Sequence, residues 1–410
     1  MRKQVLLATA AILGVAFAGA AQAAAPASPI SLNVGGYNDF VAGLSHGGAS
    51  YTGVKAKSVD FEDEFKISFD AIGKASNGVE YGANISLWNG SEVLNTWAGG
   101  SNGVTVNSAY VWLSGAFGKV LFGDEHGASD LFVYAPTVGE GQIDGRYMDF
   151  VSANKIASAL IRPSGFDNTE HSTKVTYYTP KVGNDTNKVQ VGFSYAPSLY
   201  NYGQSTIKTS GNNGNTTYQD LLKGVVQYTG NFKPVNVTAS AQWIHGGTGS
   251  HNLTNTVLGT GLAGGATGTA KSFNAWGVGT QVAFNGVTLG GAYNSMGAYN
   301  VIEGQNKDQN SFNLGAKYEF DKVGVALNYI HGKGYDNVLT GGAGGAPATA
   351  NTEYVKNFNA AGAGATYTWF PGLTSNVDGV LYGQTRADPA VAGNGKEGGY
   401  TLLVSQRLAF

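Results

Sequence analysis

From about residue 30 to the last residue, apolar and polar side chains alternate with a period of two, segment after segment. In residues 61–71, Phe61, Phe65, Ile67, Phe69 and Ala71 share one face, and Glu62, Glu64, Lys66, Ser68 and Asp70 share the other. A helix would scatter these side chains, whereas a strand separates them. The same split recurs where Val235, Val237, Ala239, Ala241 and Trp243 alternate with Asn236, Thr238, Ser240 and Gln242. Sixteen such segments lie near 30–46, 59–73, 78–89, 104–114, 118–125, 171–180, 188–197, 219–229, 235–246, 271–284, 286–296, 310–320, 323–332, 357–369, 373–386 and 399–410. Most approach the roughly 9–11 residues a tilted strand needs to cross a bilayer.

The connections alternate short and long. Short ones include Ala75-Ser76-Asn77-Gly78, Asn285-Gly286, Asp321-Lys322 and Phe370-Pro371-Gly372. Asn-Gly between two alternating runs is a strong hairpin signal. Long ones span 47–58, 90–103, 126–170, 198–218, 247–270, 297–309, 333–356 and 387–398. Short turns at one end and long loops at the other are the layout of an outer-membrane barrel.

Composition agrees. Charged residues make up 13% of the 410 residues, about half the usual share. Mean hydropathy is nevertheless −0.12, as suits strands with one lipid-facing and one water-facing row. Cysteine is absent, which excludes a disulfide framework and a thiolate zinc site. The formal charge of −2 gives no basic footprint for nucleic acid.

Arg2 and Lys3, the apolar run Val5 to Phe17, and Ala21-Gln22-Ala23 read as a secretory signal peptide over 1–23, with the barrel domain at 24–410. Loss of Arg2 and Lys3 takes the charge to −4. After Ala23 no run reaches the roughly 20 apolar residues of a spanning helix.

In hydrocarbon only helices and closed barrels pair every backbone group. An all-β, 16-stranded antiparallel transmembrane barrel is therefore expected, with strand 1 closing on strand 16. So wide a barrel is not filled by its own side chains and encloses water. Upward strands end in Tyr195, Trp243, Tyr293 and Tyr329, and downward strands in Phe284, Phe320 and Trp369. These predict two membrane girdles, where ring-bearing side chains rest at headgroup level.

The chain ends in Phe410, with Leu408, Val404, Leu402 and Tyr400 alternating behind it and Gln406 breaking the apolar row. This is similar to the terminal-strand signature read by outer-membrane assembly machinery. Phe117-Gly118-Lys119-Val120-Leu121-Phe122-Gly123 resembles the turn into strand 5 of the general trimeric porins of Gram-negative bacteria. The layout of nearly all of 24–410 resembles that family.

The resemblance implies a homotrimer in the outer membrane. It would be embedded in the bilayer with its lipopolysaccharide and pass ions and small hydrophilic solutes passively, without a cofactor. It implies a third loop, here 126–170, folded into the lumen, with a short helix near 149–161. On that loop Glu140 and Asp144 are the matching acids, and Lys66, Lys174, Lys317 and Arg407 the candidate basic partners at the constriction. The acids Glu62, Glu64, Asp70 and Glu80 line the inward rows as well, which argues for mild cation preference. The second loop, with Glu92 and Trp97, would latch a neighbouring subunit.

No catalytic constellation stands out. Gly43-Leu44-Ser45-His46-Gly47 matches G-x-S-x-G, but nothing helical follows it. Gly259-Thr260-Gly261-Leu262-Ala263-Gly264 lies in a Gly-Thr-rich loop without a βαβ frame. Among the histidines, only His126 and His171 sit on neighbouring strands, so no metal site is expected. The alternatives are a non-conducting barrel serving as adhesin or scaffold, a barrel enzyme such as a lipase, and a soluble secreted β-protein.

Overall fold

The computed structural model describes residues 30–47, 58–89, 104–151, 171–198, 218–248, 271–299, 301, 308–336, 353–386 and 396–410. Residues 1–23, Glu92, Trp97 and most of 149–161 lie outside them.

Seventeen ladder segments follow one another: β1 Ser31–Gly47, β2 Val59–Lys74, β3 Glu80–Trp88, β4 Thr105–Gly115, β5 Gly118–Asp124, β6 Thr173–Tyr178, β7 Val182–Gly183, β8 Asn187–Ser198, β9 Tyr218–Phe232, β10 Val235–Thr248, β11 Phe273–Phe284, β12 Val287–Ser295, β13 Asn310–Phe320, β14 Val323–Asp336, β15 Glu353–Phe370, β16 Leu373–Arg386 and β17 Lys396–Ala409. β6 and β7 both pair with β8 and form one interrupted crossing. The crossings number sixteen, all antiparallel, and the sheet closes on itself. Among the described residues no helix is long and apolar enough to cross a membrane.

The seam is β1 on β17, in register from Tyr37↔Ala409 to Gly47↔Gly399. One step beyond, Gly36 N–H donates to the Phe410 carbonyl at 2.8 Å and Phe410 N–H to the Gly36 carbonyl at 2.9 Å. The last residue is thus part of the closure, and no sheet edge is left at the seam.

The tight turns follow their residues. Asn285 and Gly286 have φ of 46° and 81°, both positive, as a two-residue turn matched to the strand twist requires. Across the sheet, alternation becomes inside and outside. On β11, Trp276, Val278, Val282 and Phe284 are 40–48% exposed on the outer face, while Ala275, Gly277 and Gly279 are buried on the inner one. An outward apolar row of this kind gains free energy only if hydrocarbon, not water, covers it. Toward the long-loop end the inner wall of β9–β17 is itself apolar. There Phe273, Ile330 and Phe358 lie in one buried cluster with Tyr147 of the third long loop and with Met296 and Tyr299 beyond β12.

Candidate functional site

The connection between β5 and β6 turns inward. Among its described residues it carries three short 3-10 turns, at Ala128–Leu131, Gln142–Asp144 and Arg146–Met148. Its backbone is tied to the wall nearly once per strand as it travels round the barrel. Ala128 N–H donates to Ser194 Oγ on β8 at 2.7 Å, Val133 N–H to Ser240 Oγ on β10 at 2.9 Å, and Ala135 N–H to Asn313 Oδ1 on β13 at 2.9 Å. Gln227 on β9 and Gln281 on β11 donate to the carbonyls of Leu131 and Tyr134, each at 2.7 Å. Further on, Glu140 N–H donates to Asp378 Oδ2 on β16 at 3.0 Å, and Asn328 Nδ2 on β14 to Gln142 Oε1 at 3.1 Å.

Glycine on the inner rows makes room for this strap. A Cβ on Gly279 would run into the Val133 carbonyl, one on Gly315 would lie 3.0 Å from Ala135 Cβ, and one on Gly362 would lie 2.8 Å from Gln142 Cβ. At the far end a Cβ on Gly43 would overlap the Phe150 ring. The inward glycines of β1, β11, β13 and β15 thus form the bed in which the loop lies.

Where the strap reaches β1 and β2, one cation meets an acidic wall. Arg146 Nη2 is 2.7 Å from Glu64 Oε1 and 3.5 Å from Asp39 Oδ2, and its Nε is 3.6 Å from Glu140 Oε2. Burial works against the guanidinium charge. The nearby Glu64, Asp39, Glu140 and Glu62 carboxylates outweigh it, so the Arg146 pKa is raised. The neighbouring Tyr147 hydroxyl is also pushed up, by burial first and then by Asp144 and Tyr382.

The residues singled out in the sequence fall at several places. Glu140 is buried against β16 and β17, where Asn376 Nδ2 donates to it at 3.1 Å and the Ser405 hydroxyl donates as well. Asp144 lies in the second 3-10 turn. Arg407 stacks over the Tyr37 ring at 3.9 Å and lies 3.9 Å from Asp39 Oδ2. Lys174 is buried on β6 and donates to the Glu125 carbonyl. Lys317 pairs with Glu319 at 3.0 Å, and Glu80 with Lys74 at 3.1 Å. Asp70 accepts from Asn84 at 2.7 Å. Glu62 and Glu64 face the same interior as Arg146.

Trp243, Tyr293, Phe284, Phe320 and Trp369 are exposed on the outer face. Tyr195 and Tyr329 are half-buried, their hydroxyls donating to Asp220 at 2.9 Å and Asn359 at 2.7 Å. The His126 and His171 rings do meet, centroids 4.6 Å apart. Among the described residues no cluster of metal-ligating side chains is present.

Arg146 was not among the residues the sequence pointed to. The available signal was the surplus of inward acids on β1 and β2: Asp39 lies opposite Glu64 on β2 and opposite Arg407 on β17, so acids outnumber the bases across from them.

Among the described residues, a space remains beside the start of the strap. A cavity of about 420 Å³ lies between Glu125 and Asp130 of the loop and a wall bearing Lys66, Tyr110 and Lys119.

Comparison with known proteins agrees with this geometry. A family model described as Gram-negative porin matches residues 8–408. The fold is similar to that of the outer-membrane channel DcaP of Acinetobacter baumannii, with a TM-score of 0.54, 15% identity, and 93% of this chain and 97% of that one covered. It is also similar to a loop-L8 deletion mutant of OmpT, an outer membrane protein of Vibrio cholerae (TM-score 0.53, 13% identity, 92% and 99% covered). A refined porin structure gives a TM-score of 0.51 at 14% identity, with 93% and 100% covered. No curated protein sequence matches significantly. The family match and the channel geometry together establish that the chain belongs to the Gram-negative porins and is an outer-membrane channel for the passive diffusion of solutes.

Proposed function

We propose that the mature chain, 24–410, is a homotrimeric, non-enzymatic diffusion pore. Its constriction is the strap of the third loop, and its solutes are ions and small hydrophilic molecules. The observation that supports this reading is the path of 125–151 round the inner wall, pinned by a hydrogen bond on strand after strand, with a cavity of about 420 Å³ beside it among the described residues. A plug would fill the cross-section, whereas a strap sets its width.

Mild cation preference accompanies the reading. Asp39, Glu62, Glu64 and Glu140 share one inner site with Arg146, and carboxylates on a low-dielectric wall raise the local cation concentration. The outward aromatics serve as girdles at headgroup level.

Support for the trimer is an outward polar pair. Asp63 sits on the lipid-facing row of β2 opposite Phe40 and accepts from Asn38 Nδ2 at 3.3 Å. A carboxylate on that face is unfavourable against acyl chains and is relieved when a neighbouring subunit covers it.

Planar-bilayer recording of the purified mature protein tests all three parts. Ohmic steps in groups of three, with a reversal potential on the cation side across a salt gradient, are expected. Silence from correctly folded protein would overturn the open pore. Single steps would remove the trimer, and an anion-side potential would remove the ion preference.

A further inference from the structure

β5 and β6 pair in register from Lys119↔Tyr178 to Asp124↔Thr173. Carried two residues further, that register sets His126 directly opposite His171. Directly opposed side chains of an antiparallel pair stand on one face, with Cβ atoms about 4.5–5.5 Å apart. The two imidazoles accordingly meet, with ring centroids 4.6 Å apart and planes at 66°. His126 is exposed, and His171 is half-buried. Next to them, Glu125 is 4% exposed, and its Oε2 accepts from Gly127 N–H at 2.7 Å. Its Oε1 is buried without a hydrogen-bond partner, because the Lys174 ammonium donates to the Glu125 carbonyl oxygen instead. A buried carboxylate oxygen without a donor is costly unless a cation meets it. Glu125 and His126 both line the cavity beside the start of the strap.

We propose that the His126–His171 pair is a binding site for a divalent transition-metal ion of the Zn²⁺, Cu²⁺ or Ni²⁺ class. Imidazole nitrogen suits these ions, whereas Mg²⁺ and Ca²⁺ take oxygen ligands. Zinc–nitrogen bonds of about 2.0–2.1 Å place two imidazoles on one tetrahedral ion roughly 5 Å apart, centre to centre. The observed 4.6 Å is a small side-chain rotation away from that. Each ring has two nitrogens, so one binds the ion while the other keeps its own hydrogen bond. Among the described residues no group of three ligating side chains is preformed. Water therefore completes the coordination, and the Glu125 carboxylate offsets part of the added charge. With half the ligands of a structural zinc site, the dissociation constant is on the order of 10 µM. An ion held here adds positive charge beside the cavity and works against the cation preference proposed above. That effect on ion flow rests on the channel reading; the site itself does not.

The test is calorimetric titration of the untagged, detergent-solubilised mature protein with ZnCl₂, and MgCl₂ is the control. Saturable zinc binding is expected, with no comparable binding of magnesium. His126→Ala and His171→Ala should each weaken zinc binding about tenfold or more. His245→Ala, whose ring Nδ1 lies 3.1 Å from Asn274 Oδ1, should leave it as in the parent. His126 is exposed, so its variant carries the test if a His171 variant folds poorly. Zinc binding that survives both variants would overturn the site, as would its absence from the parent. In planar bilayers, saturating ZnCl₂ should move the zero-current potential toward the anion side, and His126→Ala should abolish that shift. A potential unmoved by zinc that calorimetry shows to be bound would overturn the effect on ion flow alone. Absence of any salt current, with zinc binding lost in the two variants, would overturn the channel reading and uphold the site.

Discussion

Arg146 Nη2 lies 2.7 Å from Glu64 Oε1, joining the loop inside the barrel to strand β2. Arg146 is the sole lysine or arginine in residues 125–151, and it also lies near Asp39 and Glu140. Removing one partner of a buried ion pair costs about 3–5 kcal/mol, because the other charges remain buried and unneutralised; a hydrated lumen places the cost toward the low end. Arg146→Gln should loosen the loop at this point and leave the acidic wall uncompensated. A several-fold rise in the cation-to-anion permeability ratio, with noisier open-channel current, is expected from zero-current potentials in a KCl gradient. An unchanged ratio would show that the cluster is remote from the ion path.

The same arginine gives a pH expectation. Its pKa is raised in the folded state. Its contribution is therefore complete below the ordinary arginine value and is lost only as pH rises past the raised one. Raising the pH from 7 to about 10 lies wholly below that window. Current noise attributable to the loop should stay constant over this interval. Noise that increases with alkali would contradict a charged Arg146 as the clasp.

The glycine bed can be probed by a matched pair of substitutions. Gly279 faces inward, and a side chain there would collide with the Val133 carbonyl. Gly379 has only Leu402 Cδ1 nearby, at 3.9 Å. Overpacking of this kind costs about 1–3 kcal/mol, and here the cheapest relief is displacement of the loop into the lumen. Gly279→Val should change the single-channel conductance, while Gly379→Val should leave it near the parent value. Equal conductance in the two would mean that the loop does not limit the current.

Much of this barrel is legible because each strand has a lipid face and a water face, and a period of two records both. The run expected near 286–296 is Val287–Ser295, and those at 310–320 and 373–386 are found with the same limits. The site is less legible, because a loop inside a barrel touches residues far away in sequence. Ala135 meets Asn313, and Glu140 meets Asn376 and Ser405. No local pattern encodes such pairs. Two traces were nonetheless present in the alternation. Glycines recur on the inward rows at Gly277, Gly279, Gly362 and Gly364, where a pore wall needs no glycine unless something lies against it. Asp63 interrupts the otherwise apolar row that runs from Phe61 through Phe65 to Phe69.

That interruption yields a prediction about assembly. The chain lacks cysteine, so a single introduced thiol can carry a nitroxide. A label at Asp63→Cys, on the face assigned to a subunit contact, should be shielded from oxygen dissolved in the bilayer. A label at Leu327→Cys, a position 66% exposed on the outer face of β14, should be fully accessible. Equal accessibility would remove the contact from this side of the barrel and leave Asp63 as a carboxylate facing lipid.

The seam offers a way to separate the backbone of Phe410 from its ring. Both hydrogen bonds to Gly36 come from the main chain, at 2.8 and 2.9 Å, and the ring points outward and is 65% exposed. Each bond contributes about 0.5–1.5 kcal/mol. Deleting residue 410 removes both at the one place where the barrel closes on itself. The deletion should lower, by several degrees, the temperature at which the folded band disappears from a heat-modifiability gel. Phe410→Ala retains both bonds and should melt within about a degree or two of the parent, given the usual scale of roughly 2–4 °C per kcal/mol for larger domains. If the alanine variant reaches the outer membrane poorly while melting normally, the ring acts in assembly and the backbone in stability. If it melts as low as the deletion, the ring holds the seam by its packing, and the two main-chain bonds are secondary.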